Sequence, residues 1–203
     1  MASETARVEA FSDGVFAIAV TLLVLELKVP ANKGPLGPAL LAQWPSYVAF
    51  LISFAFIGIM WINHHRLFTH IVRATNGLLA LNLLLLLGVT VVPFPTAVLA
   101  ASLGAVQQRT AALFYNGVYL VIAIFFNVLW RYCRSRRLID EKSAASAAAI
   151  SKQYAAGPVA YLICFLLAWI SVPASLALNL TLAVFFALPP KYSGMTHTKR
   201  SAF

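Results

Sequence analysis

One segment decides the fold: Arg7-Val8-Glu9-Ala10-Phe11-Ser12-Asp13-Gly14, which runs directly into Val15-Phe16-Ala17-Ile18-Ala19-Val20-Thr21-Leu22-Leu23-Val24-Leu25. The long apolar part predicts a helix that spans a membrane. Ser12 and Asp13 point away from one face of this helix, and Val24 lies about 120° from the centre of that face. At about 100° per residue, seven residues lie within roughly 40° of one line: Arg7, Phe11, Gly14, Ile18, Leu22, Leu25 and Val29. This apolar stripe would line a hydrophobic pore in a symmetric assembly.

The composition of the 203-residue chain places it in a membrane. Hydrophobic residues make up 61% and charged residues 10%, and the mean hydropathy is +0.84, whereas soluble domains carry about 25% charged residues. We therefore expect an all-α integral membrane protein with a single domain, 1–203, and with spans of about 20 apolar residues. The six predicted spans are about 11–29, 45–63, 76–98, 110–130, 157–172 and 174–189. Pro173 separates the last two spans, and about 131–156 is predicted to be a cytoplasmic linker between helices four and five.

The positions of the basic residues predict the orientation of the spans. With six spans and a cytoplasmic N-terminus, twelve of the 15 Lys and Arg residues lie on the cytoplasmic side, as the positive-inside rule requires. Fusing the last two spans would weaken this ratio to nine against six. We therefore expect a multi-pass protein of the cell membrane with both termini in the cytoplasm. Contact with anionic lipids explains the net charge of +9, and no nucleic-acid-binding motif accompanies it.

The sequence carries no motif of an enzyme or of a cofactor site. Its six acidic residues and four histidines form no metalloprotease, hydrolase, phosphate-loop or dinucleotide pattern. We therefore predict no catalytic residue, no cofactor and no resident metal. His64 and His65 are consecutive and cannot place both rings on one helix face. For His65 we favour a polar anchor at the cytoplasmic end of span two, whereas for His64 an anchor and a proton sensor are equally open interpretations.

Asp13 lies at the start of a membrane span, where a carboxylate normally needs a partner. Arg7 is six residues away on the same helix and too far round for a good ion pair, so we expect a partner on another helix or subunit. One hypothesis is a network of Arg7, Ser12, Asp13 and His64 that fixes helix one to helix two. The other is that Ser12 or Asp13 only caps the first helix. We favour the network.

The polar start of the first span resembles a known family signature. The run Arg7-x-x-x-Phe11-Ser12-Asp13, with Gly14 and the following Val-Phe-Ala-Ile-Ala-x-Thr-Leu-Leu-Val-Leu-Glu, is similar to that of the transmembrane protein 175 family of potassium channels. The specific part of the resemblance is 7–28. It implies that helix one lines a central pore and that four identical six-span subunits form a homotetramer, as in prokaryotic members of the family.

The same resemblance implies which residues form the pore. Ile18, Leu22 and Leu25 correspond to the apolar constriction of the family, and Thr21 beside them corresponds to a polar layer. The helical periodicity had already placed the three apolar residues on one stripe. Potassium ions passing through the pore would be the only metal ions in contact with the chain.

We therefore expect a potassium-permeable cation channel whose partners are potassium ions, identical subunits and membrane lipids. The sequence has no Thr-Val-Gly-Tyr-Gly segment that would form a carbonyl filter. An apolar constriction would instead close by dewetting and would select potassium over sodium only modestly. A proton-linked secondary transporter is one alternative, suggested by Asp13, the histidines and a weak repeat between 11–16 and 114–119. A non-conducting membrane scaffold is the other.

Overall fold

The computed structural model describes residues 4–30, 34–140 and 144–187. This part of the chain is almost entirely helical. Its α-helices are α1 (Glu4–Leu22), α2 (Leu36–Leu41), α3 (Trp44–Phe68), α4 (Asn76–Val91), α5 (Pro93–Ser102), α6 (Gln108–Ser135), α7 (Ala144–Ile170) and α8 (Val172–Ala187). A 3-10 turn, Leu23–Glu26, continues α1. The end of the predicted sixth span and several basic residues lie outside the described residues: Lys33, Lys142, Lys191, Lys199 and Arg200.

The predicted all-helical membrane architecture is confirmed. Five segments of the described chain are long and apolar enough to cross a membrane, and α8 forms a shorter apolar sixth helix. The five segments are Thr5–Glu26, Trp44–Phe68, Asn76–Ser102, Gln108–Ser135 and Ile150–Ile170. Helical residues also occupy both ends of the predicted linker 131–156, because α6 ends only at Ser135 and α7 already begins at Ala144.

The third membrane segment is interrupted between α4 and α5, within the predicted span 76–98. Pro93 has no backbone N–H, and the carbonyl of Val89 instead accepts a hydrogen bond from the nitrogen of Val92 at 3.1 Å. One turn earlier, the Thr90 hydroxyl donates to the carbonyl of Leu86 at 3.1 Å, an interaction that also bends helices. The apolar segment therefore continues through Val92, whose dihedral angles are α-helical, and only the regular hydrogen-bond pattern between α4 and α5 is interrupted.

The last two helices fold back on each other. Ser175 Oγ donates to the carbonyl of Cys164 at 2.8 Å, although eleven residues of continuous helix would separate these positions by about 16 Å. The chain reverses at Ser171, whose Oγ accepts a hydrogen bond from the nitrogen of Ala174 and thereby caps α8. Pro173 lies in the first turn of α8, where proline is tolerated. The reversal supports six membrane helices rather than five.

The core of the subunit lies between α3, α6, α7 and α8, each of which contributes one aromatic ring. Tyr119 lies 4.7 Å from Phe56 and 6.2 Å from Tyr161, measured between ring centroids. Phe186 continues the row at 6.1 Å from Tyr161. Aromatic pairs at such distances stabilise a fold beyond the area that they bury. The first helix, α1, packs on α3 and α4.

Candidate pore-lining site

The apolar stripe of α1 is exposed in the single subunit. Phe11 is 58% exposed, Ile18 59%, Leu22 41% and Leu25 60%. No atom approaches within 4 Å of the point where a Cβ of Gly14 would lie. Exposure alone does not distinguish a face that lines a pore from one that contacts lipid. The polar residues Arg7 and Thr21 are also exposed, however, so this face of α1 is not uniformly apolar.

The opposite face of α1 is buried against the subunit. Phe16 is 2% exposed, and Ser12, Ala19 and Leu23 are fully buried. Their spacing of three and four residues is that of one face of an α-helix. The helix is therefore packed through this face, whereas the side chains of the stripe remain largely exposed.

The 3-10 turn changes the direction of the side chains at the end of the stripe. Three residues complete one turn of a 3-10 helix, so Leu25 lies directly along the axis from Leu22. The same winding moves Val24 from about 120° to about 80° from the line through Ile18. Val24 is accordingly 52% exposed. It lies at the margin of the exposed face, and Leu23 is the buried residue of this turn.

Two polar contacts on successive turns attach α1 to α3. Asp13 Oδ1 accepts a hydrogen bond from Trp61 Nε1 at 2.8 Å. One turn earlier, Glu9 Oε1 lies 2.5 Å from His65 Nδ1. Residues four apart share a helix face, so the pairs form two rungs between antiparallel helices. The partner of Asp13 on another helix is thus a tryptophan rather than an arginine.

A third polar contact attaches α1 to α4. Asn82 Nδ2 donates to Ser12 Oγ at 3.0 Å, and Asn82 Oδ1 lies 2.8 Å from Nε2 of His64. The Ser12 hydroxyl in turn donates to the carbonyl of Val8 at 2.8 Å. Asn82 is only 2% exposed, and Ser12 and His64 are fully buried. Ser12 and His64 therefore belong to one network, which Asn82 joins and which spans three helices.

Arg7 lies apart from this network. It is exposed and forms no hydrogen bond or ion pair with another described residue of the subunit. On an α-helix Arg7 lies about 140° from Ser12, so its side chain leaves the helix on the face of the stripe. Asp13 also remains separate from Ser12 and His64, because its carboxylate is directed to Trp61 on α3. The four residues grouped from the sequence thus divide into three separate environments.

The sequence analysis missed three residues of these contacts: Glu9, Trp61 as a donor, and Asn82. Asn82 carried a usable signal, because a single amide within the apolar run Ala80-Leu81-Asn82-Leu83-Leu84 is costly in a membrane unless it is paired. Glu9 carried a weaker one, because it lies one helical turn before Asp13. The choice of partners across helices could not be read from one sequence.

A bundle of membrane helices with one polar-anchored helix that exposes an apolar stripe is typical of a membrane channel subunit. A family model described as "Endosomal/lysosomal potassium channel TMEM175" matches residues 7–93. A potassium channel of Chamaesiphon minutus is 51% identical to this chain over 92% of it and 95% of the relative. The chain therefore belongs to the TMEM175 family, whose members are channels rather than enzymes.

The comparison of structures agrees with this assignment. The crystal structure of a lysosomal potassium-selective channel TMEM175 homologue from Chamaesiphon minutus matches with a TM-score of 0.84 at 50% identity, over 91% of this chain and 96% of that one. The human endosomal/lysosomal proton channel TMEM175 is 46% identical over 88 residues, which cover 38% of this chain and 18% of the human protein. The likeness to the human protein thus concerns only part of the chain.

Proposed function

We propose that this chain forms a potassium-permeable cation channel whose pore is enclosed by four copies of α1, one from each of four identical subunits. The exposed stripe of α1 is the observation that carries the proposal. One stripe cannot enclose a pore, whereas four stripes around a symmetry axis can. The name of the Chamaesiphon relative, a potassium channel, supports the choice of ion.

In this proposal Ile18, Leu22 and Leu25 form three apolar rings that constrict the pore. The α-helical rise separates the Ile18 and Leu22 rings by about 6 Å, and the steeper 3-10 rise separates the Leu22 and Leu25 rings by about the same distance. Narrow apolar rings exclude water, so the closed pore would be dry at this level. A wetted pore would favour the ion that loses its hydration shell at lower cost, and selectivity for potassium over sodium would be modest.

Thr21 supplies a polar layer next to these rings. Its hydroxyl donates to the carbonyl of Ile18 at 2.9 Å, and the side chain is otherwise exposed. Because the proton is used within the helix, the oxygen lone pairs are free to face a passing cation. We assign to Thr21 a partial replacement of the water that the ion loses among the apolar rings.

We assign to three of the remaining signature residues the role of holding α1 in place without contact with the ion. Ser12, Asp13 and His64 are directed into the subunit. Phe11 and Gly14 lie on the stripe near its polar end, where the missing side chain of Gly14 leaves the passage wide. Arg7 lies on the same exposed face, and we propose that it contacts a neighbouring subunit.

The proposed orientation in the cell membrane places both termini in the cytoplasm. The loop between α3 and α4 and the end of α6 are joined, because Val72 N donates to the carbonyl of Leu138 at 2.9 Å and Asp140 N donates to that of His70 at 3.0 Å. Arginines concentrate at this end of the subunit: Arg66, Arg73, Arg131, Arg134, Arg136 and Arg137. An arginine-rich side is the cytoplasmic side by the positive-inside rule.

Potassium flux from liposomes that contain the purified protein tests the proposal. We expect potassium efflux that reverses at the potassium equilibrium potential, with smaller sodium flux under the same gradient. Saturable flux coupled to a proton gradient would instead indicate a transporter, and absence of flux would indicate a scaffold. Proton flux without potassium must also be measured, because the human relative is named a proton channel. Proton flux alone would contradict the choice of ion.

A further inference from the structure

The arginine-rich end of the subunit contains a pocket that the proposed pore does not use. It has a volume of about 340 Å³ and lies between the start of α4 and the end of α6. The two hydrogen bonds between the α3–α4 loop and the segment after α6 hold its walls together. The lining residues are Arg73, Ala74, Thr75, Tyr132, Arg136 and Leu138. The pocket is therefore built from the α3–α4 loop, the last turns of α6 and the segment after α6.

Two guanidinium groups of this pocket are uncompensated. Arg73 and Arg136 are exposed, and neither forms an ion pair with a carboxylate within the described ranges. The Arg136 guanidinium lies 5.8 Å from the centre of the Tyr132 ring, which holds it over the pocket wall. The negative charge of Asp140 acts on His70 and partly offsets the effect of burial, which lowers the pKa of that histidine. The pocket consequently carries net positive charge.

Neutral hydrogen-bonding groups complete the wall. The hydroxyls of Tyr132 and Thr75 lie 3.3 Å apart, and Thr75 Oγ1 accepts a hydrogen bond from the nitrogen of Leu78 at the start of α4. A side chain at Gly77 would collide with the Tyr132 hydroxyl, so this glycine lets the hydroxyl reach the first turn of α4. The start of a helix carries partial positive charge, which adds to that of the two arginines.

We propose that this pocket binds the phosphate headgroup of an anionic membrane lipid. Arginine pairs with phosphate through two parallel hydrogen bonds, and basic pockets between membrane helices on the cytoplasmic side suit such headgroups. The apolar surface next to the pocket favours a lipid over a soluble phosphate. On α4, Leu79 lies one turn beyond Thr75 and is 38% exposed. On α6, Val128 lies one turn before Tyr132 and is 41% exposed. Acyl chains would cover them.

Titration of the purified full-length protein in detergent tests this proposal without any measurement of ion conduction. The probes are dioctanoyl-phosphatidylglycerol, dioctanoyl-phosphatidylcholine and inorganic phosphate, and native mass spectrometry counts the bound molecules. We expect phosphatidylglycerol to bind more tightly than the other two probes. The variant Arg73→Gln/Arg136→Gln should weaken its binding about tenfold or more, since two charge-assisted contacts are lost.

The control variant Arg131→Gln/Lys152→Gln removes the same charge from two exposed residues at the same end that do not line the pocket. It should change binding by less than about twofold. If the arginine double variant does not assemble, Tyr132→Phe removes one hydroxyl with all charges kept, and we expect about threefold weaker binding. Equal weakening of binding in both double variants, or no effect of Tyr132→Phe, would show that the headgroup does not bind in this pocket. If inorganic phosphate bound as tightly as phosphatidylglycerol, the proposal that the ligand is a lipid would be wrong.

Discussion

Ser12 and Asp13 are neighbours in the sequence, but they leave α1 about 100° apart and therefore reach different helices. Ser12 meets Asn82 on α4, and Asp13 meets Trp61 on α3. Contacts in two directions restrict both the rotation of α1 and its tilt. The orientation of the exposed stripe therefore depends on residues that lie outside the stripe.

Asn82→Leu should destabilise the subunit more than Asp13→Ala does. Asn82 is almost fully buried, and its loss leaves the Nε2 atom of His64 buried without its partner, at about 1–3 kcal/mol for an unsatisfied group. Ser12 loses the hydrogen bond that it accepts, although its hydroxyl still donates to the carbonyl of Val8. Asp13→Ala removes one charge-assisted hydrogen bond, worth about 1.5–3 kcal/mol, to a Trp61 that is 43% exposed. Thermal unfolding in detergent measures both effects. Asp13→Asn keeps an acceptor and should be nearly as stable as the parent. Greater destabilisation by Asp13→Ala than by Asn82→Leu would contradict the importance of the Asn82 bridge.

Ile18→Asn should raise basal potassium flux by about threefold or more, because a polar ring allows water to remain in the constriction. Sodium should be excluded less well. Ile18 is 59% exposed in the subunit, so the substitution removes little packing and folding should be unaffected. Liposome flux, normalised to the amount of assembled protein, is the measurement.

Two matched variants test where this effect is localised. Leu25→Asn lies nearer the outer mouth and should raise flux less than Ile18→Asn. Val24→Asn is exposed at the margin of the stripe and should leave flux near that of the parent, with no loss of folding. Unchanged flux in Ile18→Asn at equal assembly, or a gain confined to Val24→Asn, would place a different face of α1 in the pore.

At the scale of elements, hydropathy and charge were sufficient to predict the membrane helices, because a bilayer demands long apolar segments. The helical period likewise predicted the stripe on α1. The interruption at Pro93 was missed, although Pro93 and Pro95 are visible in the sequence, because mean hydropathy does not register a missing backbone donor. The partners Asn82 and Trp61 could not be assigned, because one sequence does not state which helices are neighbours.

The backbone conformation just after α6 is unfavourable for the residue that adopts it, Arg137. Arg137 has φ of 51°, in the left-handed region. Its nitrogen donates to the carbonyl of Arg134 at 3.1 Å, and the nitrogen of Leu138 donates to that of Cys133 at 2.9 Å. This pair of hydrogen bonds is the Schellman motif, in which glycine is preferred at the position that Arg137 occupies. The arginine therefore carries a conformational cost of about 1 kcal/mol.

Arg137→Gly should accordingly stabilise the protein by about 1 kcal/mol, which corresponds to a rise in melting temperature of about 2–4 °C for a chain of this size. Arg137→Ala removes the same charge but keeps a Cβ, so it should give no such gain. Differential scanning fluorimetry in detergent compares the two variants with the parent. Equal stabilisation by glycine and alanine would mean that repulsion among the arginines, rather than the backbone, is relieved.

At the scale of the whole molecule, the subunit has two distinct apolar surfaces. One is the stripe of α1, and the other includes exposed apolar residues of the outer helices, such as Ile163 on α7 and Val184 on α8. Lipid can cover the outer helices. The stripe also carries Arg7 and Thr21, which favours a partner that provides water or polar groups. Assembly around a common axis would place the stripe against a central pore and leave the outer helices in contact with lipid.

The assembled protein should therefore be a tetramer with a mass of about 88 kDa, four times 22.0 kDa, measured by native mass spectrometry from a lipid-like environment. Ile18→Cys should form disulfide-linked dimers under mild oxidation, because the proposed ring of four Ile18 residues brings this position close to its copies around the axis. The native Cys133 and Cys164 are buried and should contribute little background. Ile163→Cys lies on α7, which packs on α6 and α8, and should remain uncrosslinked. A stable monomer, or crosslinking through position 163 in place of position 18, would contradict the proposal that α1 lies at the centre of a tetramer.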